Sequence, residues 1–107
     1  MYDLESAVMG LIVEAGNARA SAFTALAESK KGEISKAEEL MNQAEKSMNK
    51  AHNQQSQILT AEANKEIDKV NLLTVHAQDH LMTAILAIEL VGEIIELRNE
   101  LDEIKKD

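Results

Sequence analysis

Not one proline occurs in the 107 residues, and glycine stands only at positions 10, 16, 32 and 92. These two residues end helices and turn hairpins, so a chain nearly free of them has little turn chemistry for a sheet and long stretches open to helix. The spacing of apolar residues points the same way. Leu4, Val8, Leu11, Ala15, Ala18, Ala22 and Leu26 step by three and four along one stripe, which predicts a first helix from Leu4 to about Lys30. Lys30 and Lys31 suit its C-terminus, where the dipole favours cations, and Gly32 is the stop.

A second helix follows on Ile34, Ala37, Leu40, Met41, Ala44, Met48, Ala51, Ile58 and Leu59, with Ser35 as candidate N-cap and Glu38 in the capping-box position. Its polar stretch from His52 to Gln57 contains no breaker and is kept helical. A second turn falls in the charged segment Ala61 to Asp68, and a last helix runs from about Ile67 to Ile104, up to roughly 55 Å at the helical rise. Gly92, or Gly16 with Asn17, could mark a close helix approach. The expected fold is all-α, one domain over 1–107, an antiparallel up-down-up three-helix bundle.

Composition narrows the function classes. There is no Trp, one Phe and one Tyr, so the core is aliphatic, with Met9, Met41, Met48 and Met82 as core or seam fillers. Without cysteine there are no disulfides or thiolate metal sites, which fits a reducing interior. The start, Met1-Tyr2-Asp3-Leu4-Glu5, is acidic where a signal peptide is basic, and the apolar run Leu81 to Ile95 is too short for a membrane span and is interrupted by Glu89 and Glu93. A formal charge of −8 argues against nucleic acid and anionic membrane, both of which call for a basic patch. A cytoplasmic protein without direct membrane insertion is expected.

On a helical wheel the last helix carries two apolar stripes. One holds Val70, Leu73, Ala77, Leu81, Ala84, Ile88, Val91 and Ile95; the other holds Leu72, Val75, Met82, Leu86, Leu90, Leu97 and Leu101. A three-helix monomer needs one stripe per helix, so the surplus predicts a homo-oligomer formed through this helix. Asp79 falls inside the second stripe, where copies of it would meet at a symmetric seam and a shared divalent cation would relieve their repulsion. His76 and His80, at i and i+4, lie together in the gap between the stripes, while Gln78 falls away from His76 on the wheel.

Several readings of the histidine pair fail on sequence. Ala77 stands where the HExxH metalloprotease pattern needs Glu, Leu73 and Ala77 stand where a di-iron Glu-x-x-His needs Glu, and no nucleophile elbow supports a Ser-His-Asp hydrolase. Two remain on the residues alone. The histidines are satisfied packing residues at an interface, or an imidazole nitrogen is itself a nucleophile that holds a phosphoryl group. His52, with no acidic or histidine neighbour, reads as a surface residue of the second helix.

The run Leu72 to Ala84, LLTVHAQDHLMTA, resembles the signature of the enzyme IIA component of the lactose/cellobiose/chitobiose branch of the sugar phosphotransferase system. Ile12-Val13-Glu14-Ala15-Gly16-Asn17-Ala18-Arg19, the Gly32 turn with Ala37-Glu38-Glu39-Leu40, and Glu93-Ile94-Ile95-Glu96-Leu97 extend the likeness over nearly the whole chain. The resemblance implies a homotrimeric nine-helix bundle of three-helix subunits. It implies that His76 accepts phosphate from HPr, through Nε2, and passes it to the cognate IIB component for coupled uptake and phosphorylation of a disaccharide. It further implies that Asp79 clusters on the trimer axis and binds a divalent metal such as Mg2+, one per trimer, and that His80 and Gln78 belong to the catalytic motif as neighbouring or orienting groups. The alternative from another class is a non-catalytic helical oligomerisation module with a structural metal at the His/Asp cluster.

Overall fold

The computed structural model of the chain describes residues 2–106, so Met1 and Asp107, the ends of the expected domain, lie outside it. Three helices, α1 (Leu4–Lys30), α2 (Ile34–Ala63) and α3 (Leu72–Lys105), form a rod of 62 × 19 × 16 Å. The described residues contain no strand. Val8 and Leu11 of α1, Ala51 and Ile58 of α2, and Ala77 and Leu81 of α3 share one core cluster. Ala22, Ala44 and Val91 share the next. Ascending numbers in α1 and α3 thus meet descending ones in α2, the up-down-up order expected.

Local chemistry sets the ends of each helix. The Asp3 carboxylate accepts from the Ser6 N–H at 3.1 Å and opens α1. At its other end Gly32 takes φ +82°, the Glu33 N–H donates to the Glu28 carbonyl at 3.0 Å, and the Gly32 N–H donates to Ser29 at 3.1 Å. This is a left-handed helix stop, which glycine adopts without a Cβ clash. The expected capping box on Ser35 does not form. The stop delivers the chain so directly that α2 begins at Ile34 with Glu33 as cap residue and no side-chain cap bond, leaving Ser35 inside the helix.

The end of α2 repeats the pattern with a different residue. Lys65 takes φ +62°, and the Glu66 N–H donates to the Ala61 carbonyl at 2.9 Å while the Lys65 N–H donates to Glu62 at 3.0 Å. The chain then runs non-helically to Asn71, whose Oδ1 accepts from the Thr74 N–H at 2.9 Å and the Thr74 hydroxyl at 2.8 Å. α3 therefore starts at Leu72 rather than near Ile67. Extended backbone at Asn71 makes it the cap, and Ile67 packs back on the core to close that end of the bundle. Tyr2 packs there too, its phenol pushed up by burial and by the nearby Asp3 and Glu66.

Alanine dominates the interior. Ala15, Ala18, Ala22, Ala25, Ala37, Ala44, Ala51, Ala61, Ala77 and Ala84 are buried, whereas the large side chains lost to solvent almost entirely are Leu11, Leu81 and Val8. Small seams let helix axes approach, and each bulky exception adds about 1.5–3 kcal/mol of burial. The closest approach needing glycine is at Gly10, where an added Cβ would meet the Gln54 amide at 2.5–2.9 Å. Gly16 faces open space and Gly92 meets only the Met41 methyl at 3.8 Å, so neither marks the close crossing expected of it.

Candidate functional site

The buried side of α3 consists of Thr74, Ala77, Leu81, Ala84 and Val91, with Ile88 and Ile95 partly covered. Val70, expected at the head of this stripe, precedes the helix and is exposed, and Leu73 keeps 39% of its surface exposed. Thr74 takes the inward place instead, because its hydroxyl is already satisfied by Asn71. On the opposite side Leu72, Val75, Met82, Leu86, Leu90, Leu97 and Leu101 are all exposed, Leu72 at 84% and Met82 at 59%. The second stripe read from the sequence is therefore bare in the single chain.

His76 and His80 stand on the flank between those two sides, one turn apart. Their Nε2 atoms lie 3.1 Å from each other, and the rings meet edge to face at 84° with centroids 4.5 Å apart. Two imidazole nitrogens at that distance share one proton, one ring donating and the other accepting. When His80 donates, His76 carries its proton on Nδ1 and presents an unprotonated Nε2, the form a nucleophile needs. His76 is exposed and His80 half-buried, so the reactive edge opens to solvent. The Thr83 hydroxyl donates to the Asp79 and His80 carbonyls at 2.9 and 3.2 Å, bonding back along the helix behind the pair.

Asp79 is exposed and lines, with Leu72, Leu73, Val75 and His76, an open surface cavity of about 400 Å³. Among the described residues its carboxylate makes no hydrogen bond or ion pair, and no group of three or more His, Cys, Asp or Glu side chains is placed to hold a metal ion. Within the single chain Asp79 offers one carboxylate, too few oxygen ligands for a hard cation. Gln78 lies on the other flank, facing α2, where its amide oxygen accepts from Nε2–H of Gln55. One subunit thus gathers His76, His80 and Asp79 and leaves Gln78 apart from them. His52 is exposed on α2, as expected.

Two features escaped the sequence. α1, like α3, has a second apolar side: Met9, Val13 and Phe23 are each about half exposed, with the Arg19 guanidinium 5.6 Å from the centre of the Phe23 ring. Met9, expected as a filler, points outward because Val8 holds the core position; Met48 is buried and Met41 partly so. The repeat at Met9, Val13, Gly16, Ala20 and Phe23 was the available signal. The other is Gln55, which one polar stretch of similar residues did not single out.

The family model for the lactose/cellobiose-specific IIA subunit of the phosphotransferase system matches residues 6–99. The N,N'-diacetylchitobiose-specific EIIA component of Escherichia coli K12 is 44% identical over 99 residues, covering 92% of this chain and 85% of that protein. The cellobiose-specific EIIA component of Lactococcus lactis is 44% identical over 95 residues, covering 85% and 82%. The crystal structure of the cellobiose-specific enzyme IIA of Bacillus anthracis superposes with a TM-score of 0.90 at 39% identity, over 96% of this chain and 94% of that one. A solution structure of the Escherichia coli IIA(chitobiose)–HPr complex gives 0.82 at 42% identity, over 95% and 99%.

Proposed function

The chain belongs to the lactose/cellobiose-specific IIA family of the phosphotransferase system, and on that premise we propose that Nε2 of His76 is the atom that carries the phosphoryl group. The observation that carries this reading is the 3.1 Å contact between the two Nε2 atoms on the open flank of α3. HPr is the donor, in keeping with the HPr complex of the chitobiose relative, and the cognate IIB component is the acceptor. The sugar is a β-linked disaccharide of the cellobiose or chitobiose kind, the substrates in the names of the relatives. No described helix is long and apolar enough to cross a membrane, and the carrier works in the cytoplasm beside the transporter it feeds.

In the transfer, the Nε2 lone pair of His76 attacks phosphorus. The new N–P bond forms as the bond from phosphorus to the donor breaks, and the electron pair of that bond leaves with the donor. His76 keeps its proton on Nδ1 throughout. Before transfer the His80 N–H donates to Nε2 of His76 and so fixes its proton on Nδ1; as phosphorus approaches, that hydrogen bond breaks to release the Nε2 lone pair, and the His80 N–H turns to donate to a phosphoryl oxygen. The second transfer, to IIB, reverses these roles. The alternative of a purely structural metal module does not account for the motif and family match, and it is set aside.

The bare stripe of α3 packs against its copies in a homotrimer, a nine-helix bundle that brings three Asp79 carboxylates to the axis. Asp79 from each of three chains would hold a divalent cation such as Mg2+, which would supply charge neutralisation there and no step of the transfer. Exposed apolar area along most of α3 and the position of Asp79 within it support this assembly.

Incubation with phosphoenolpyruvate, enzyme I and HPr, followed by intact mass measurement, tests the carrier. One phosphoryl adduct per chain, absent from His76→Ala, is expected. An unchanged mass, or an adduct that survives His76→Ala, overturns it.

A further inference from the structure

The motif's glutamine points away from the histidines, toward a helix that otherwise touches α3 sparsely. α1 packs on both neighbours more extensively than α2 packs on α3. Among the described residues, one side-chain hydrogen bond joins two different helices, and it lies at this thin seam, from Gln55 Nε2–H to Gln78 Oε1. The other side-chain hydrogen bonds and both ion pairs span four residues or fewer.

Gln78 sits two positions from each histidine, so the bond is level with the pair. Ala77 is the inward residue between them, fully buried but offering only a methyl group. Methyl contacts resist rotation weakly because dispersion between single atom pairs is small and undirected. A hydrogen bond is directional and fixes the angle from which Gln78 can be reached. At roughly 5–6 Å from the helix axis, a side-chain atom moves by about 1 Å when the helix rolls by about 10°. A shift of that size is enough to cost a transfer reaction on the order of a hundredfold.

We propose that Gln55 is a positioning residue for His76: by holding Gln78 it sets the rotation of α3 about its own axis and so aims the imidazole at the incoming phosphorus. The same turn of α2 places the Gln54 amide over Gly10 of α1, so consecutive glutamines of α2 register it against both other helices. This role rests on the reading of His76 as the phosphoryl acceptor.

Single-turnover phosphorylation by phospho-HPr, with imidazole nitrogen NMR of the unphosphorylated protein, tests it in the full chain. Gln55→Leu slows transfer on the order of tenfold or more at an unchanged half-saturating donor concentration, while its spectra keep the signature of a proton shared between His76 and His80, because that pair is carried on one helix and rolls with it. Gln55→Glu, whose carboxylate can accept from the Gln78 amide N–H after that amide turns over, recovers most of the rate. Gln78→Leu added to Gln55→Leu slows transfer no further. Val91→Ala, in the other core cluster, lowers the melting temperature without changing the rate, which separates aiming from general loosening. A Gln55→Leu protein that transfers at the wild-type rate, or no more slowly than Val91→Ala, or that Gln55→Glu does not relieve, overturns the proposal. A wild-type chain that gains no phosphoryl group on His76 instead overturns the acceptor reading beneath it.

Discussion

The two long sides of α3 are built from the same kinds of residue and meet opposite fates. Ala77, Leu81, Ala84 and Val91 vanish into the bundle, while Val75, Met82, Leu86 and Leu90 across the helix remain open. α2 shows what an ordinary bundle helix looks like: its buried set lies on one side and its other positions are mostly polar. The contrast teaches that apolarity alone does not define a core. What separates the core from the open stripe is whether the chain itself can reach the surface, and the histidines stand where the two territories meet.

The strongest test of that boundary is His76→Gln, which removes the proposed phosphoryl acceptor without adding charge or bulk. Transfer is abolished and the helical circular dichroism unchanged; a collapse of helicity would show that the flank is part of the core after all. Leu81→Ala and Leu86→Glu then divide the two sides. The first leaves a cavity in the subunit and lowers its stability by about 2–5 kcal/mol in urea titration. The second leaves helicity intact but splits the proposed trimer in sedimentation, because a carboxylate placed in an apolar seam has no partner there. Equal loss of subunit stability from both would erase the distinction.

Asp79→Leu is a smaller perturbation of the open side. It tightens the oligomer if the aspartates meet there without full compensation by metal, and a loss of assembly on sedimentation would refute that placement. The smallest effects concern the two helix stops, which share hydrogen-bond geometry but not residue type. Gly32→Ala lowers stability by about 1 kcal/mol, and Lys65→Gly raises it by up to about 1 kcal/mol, as thermal midpoints would report.

Those two stops also mark how far the sequence could be read. Gly32 announces its turn because glycine is at home at positive φ, and α1 ends at Lys30 as expected. Lys65 adopts the same conformation without any compositional sign, since the backbone bonds at Glu66 and Lys65 outweigh the Cβ crowding. The start of α3 was misplaced for a related reason: nothing in the apolar spacing distinguishes Ile67, which packs as part of a linker, from a helical residue. Ser35 had the right chemistry for a cap but the wrong position, because α2 had already begun.

The site was more legible than the bundle around it. Periodicity alone put His76 with His80, set Asp79 in the outer stripe and turned Gln78 away, and the geometry agrees on each. What lay beyond reach was the partner of Gln78. The tract from His52 to Gln57 offers several polar side chains, and which of them faces α3 depends on how the two helices are rolled against each other. Gly10 was missed likewise, since its need for space comes from Gln54, distant in sequence.

α3 carries His76 on its outside, and the helix continues unbroken from Leu72 to Lys105. Such a rod has no hinge near the imidazole and no loop of its own to fold over it. A phosphoryl group carried there, as proposed, is left on an exposed flank once its donor departs, so its lifetime becomes a race between hydrolysis and the next encounter. The flux such a carrier sustains is then governed by how soon an acceptor docks, and delay rather than conformational change is what wastes the phosphate.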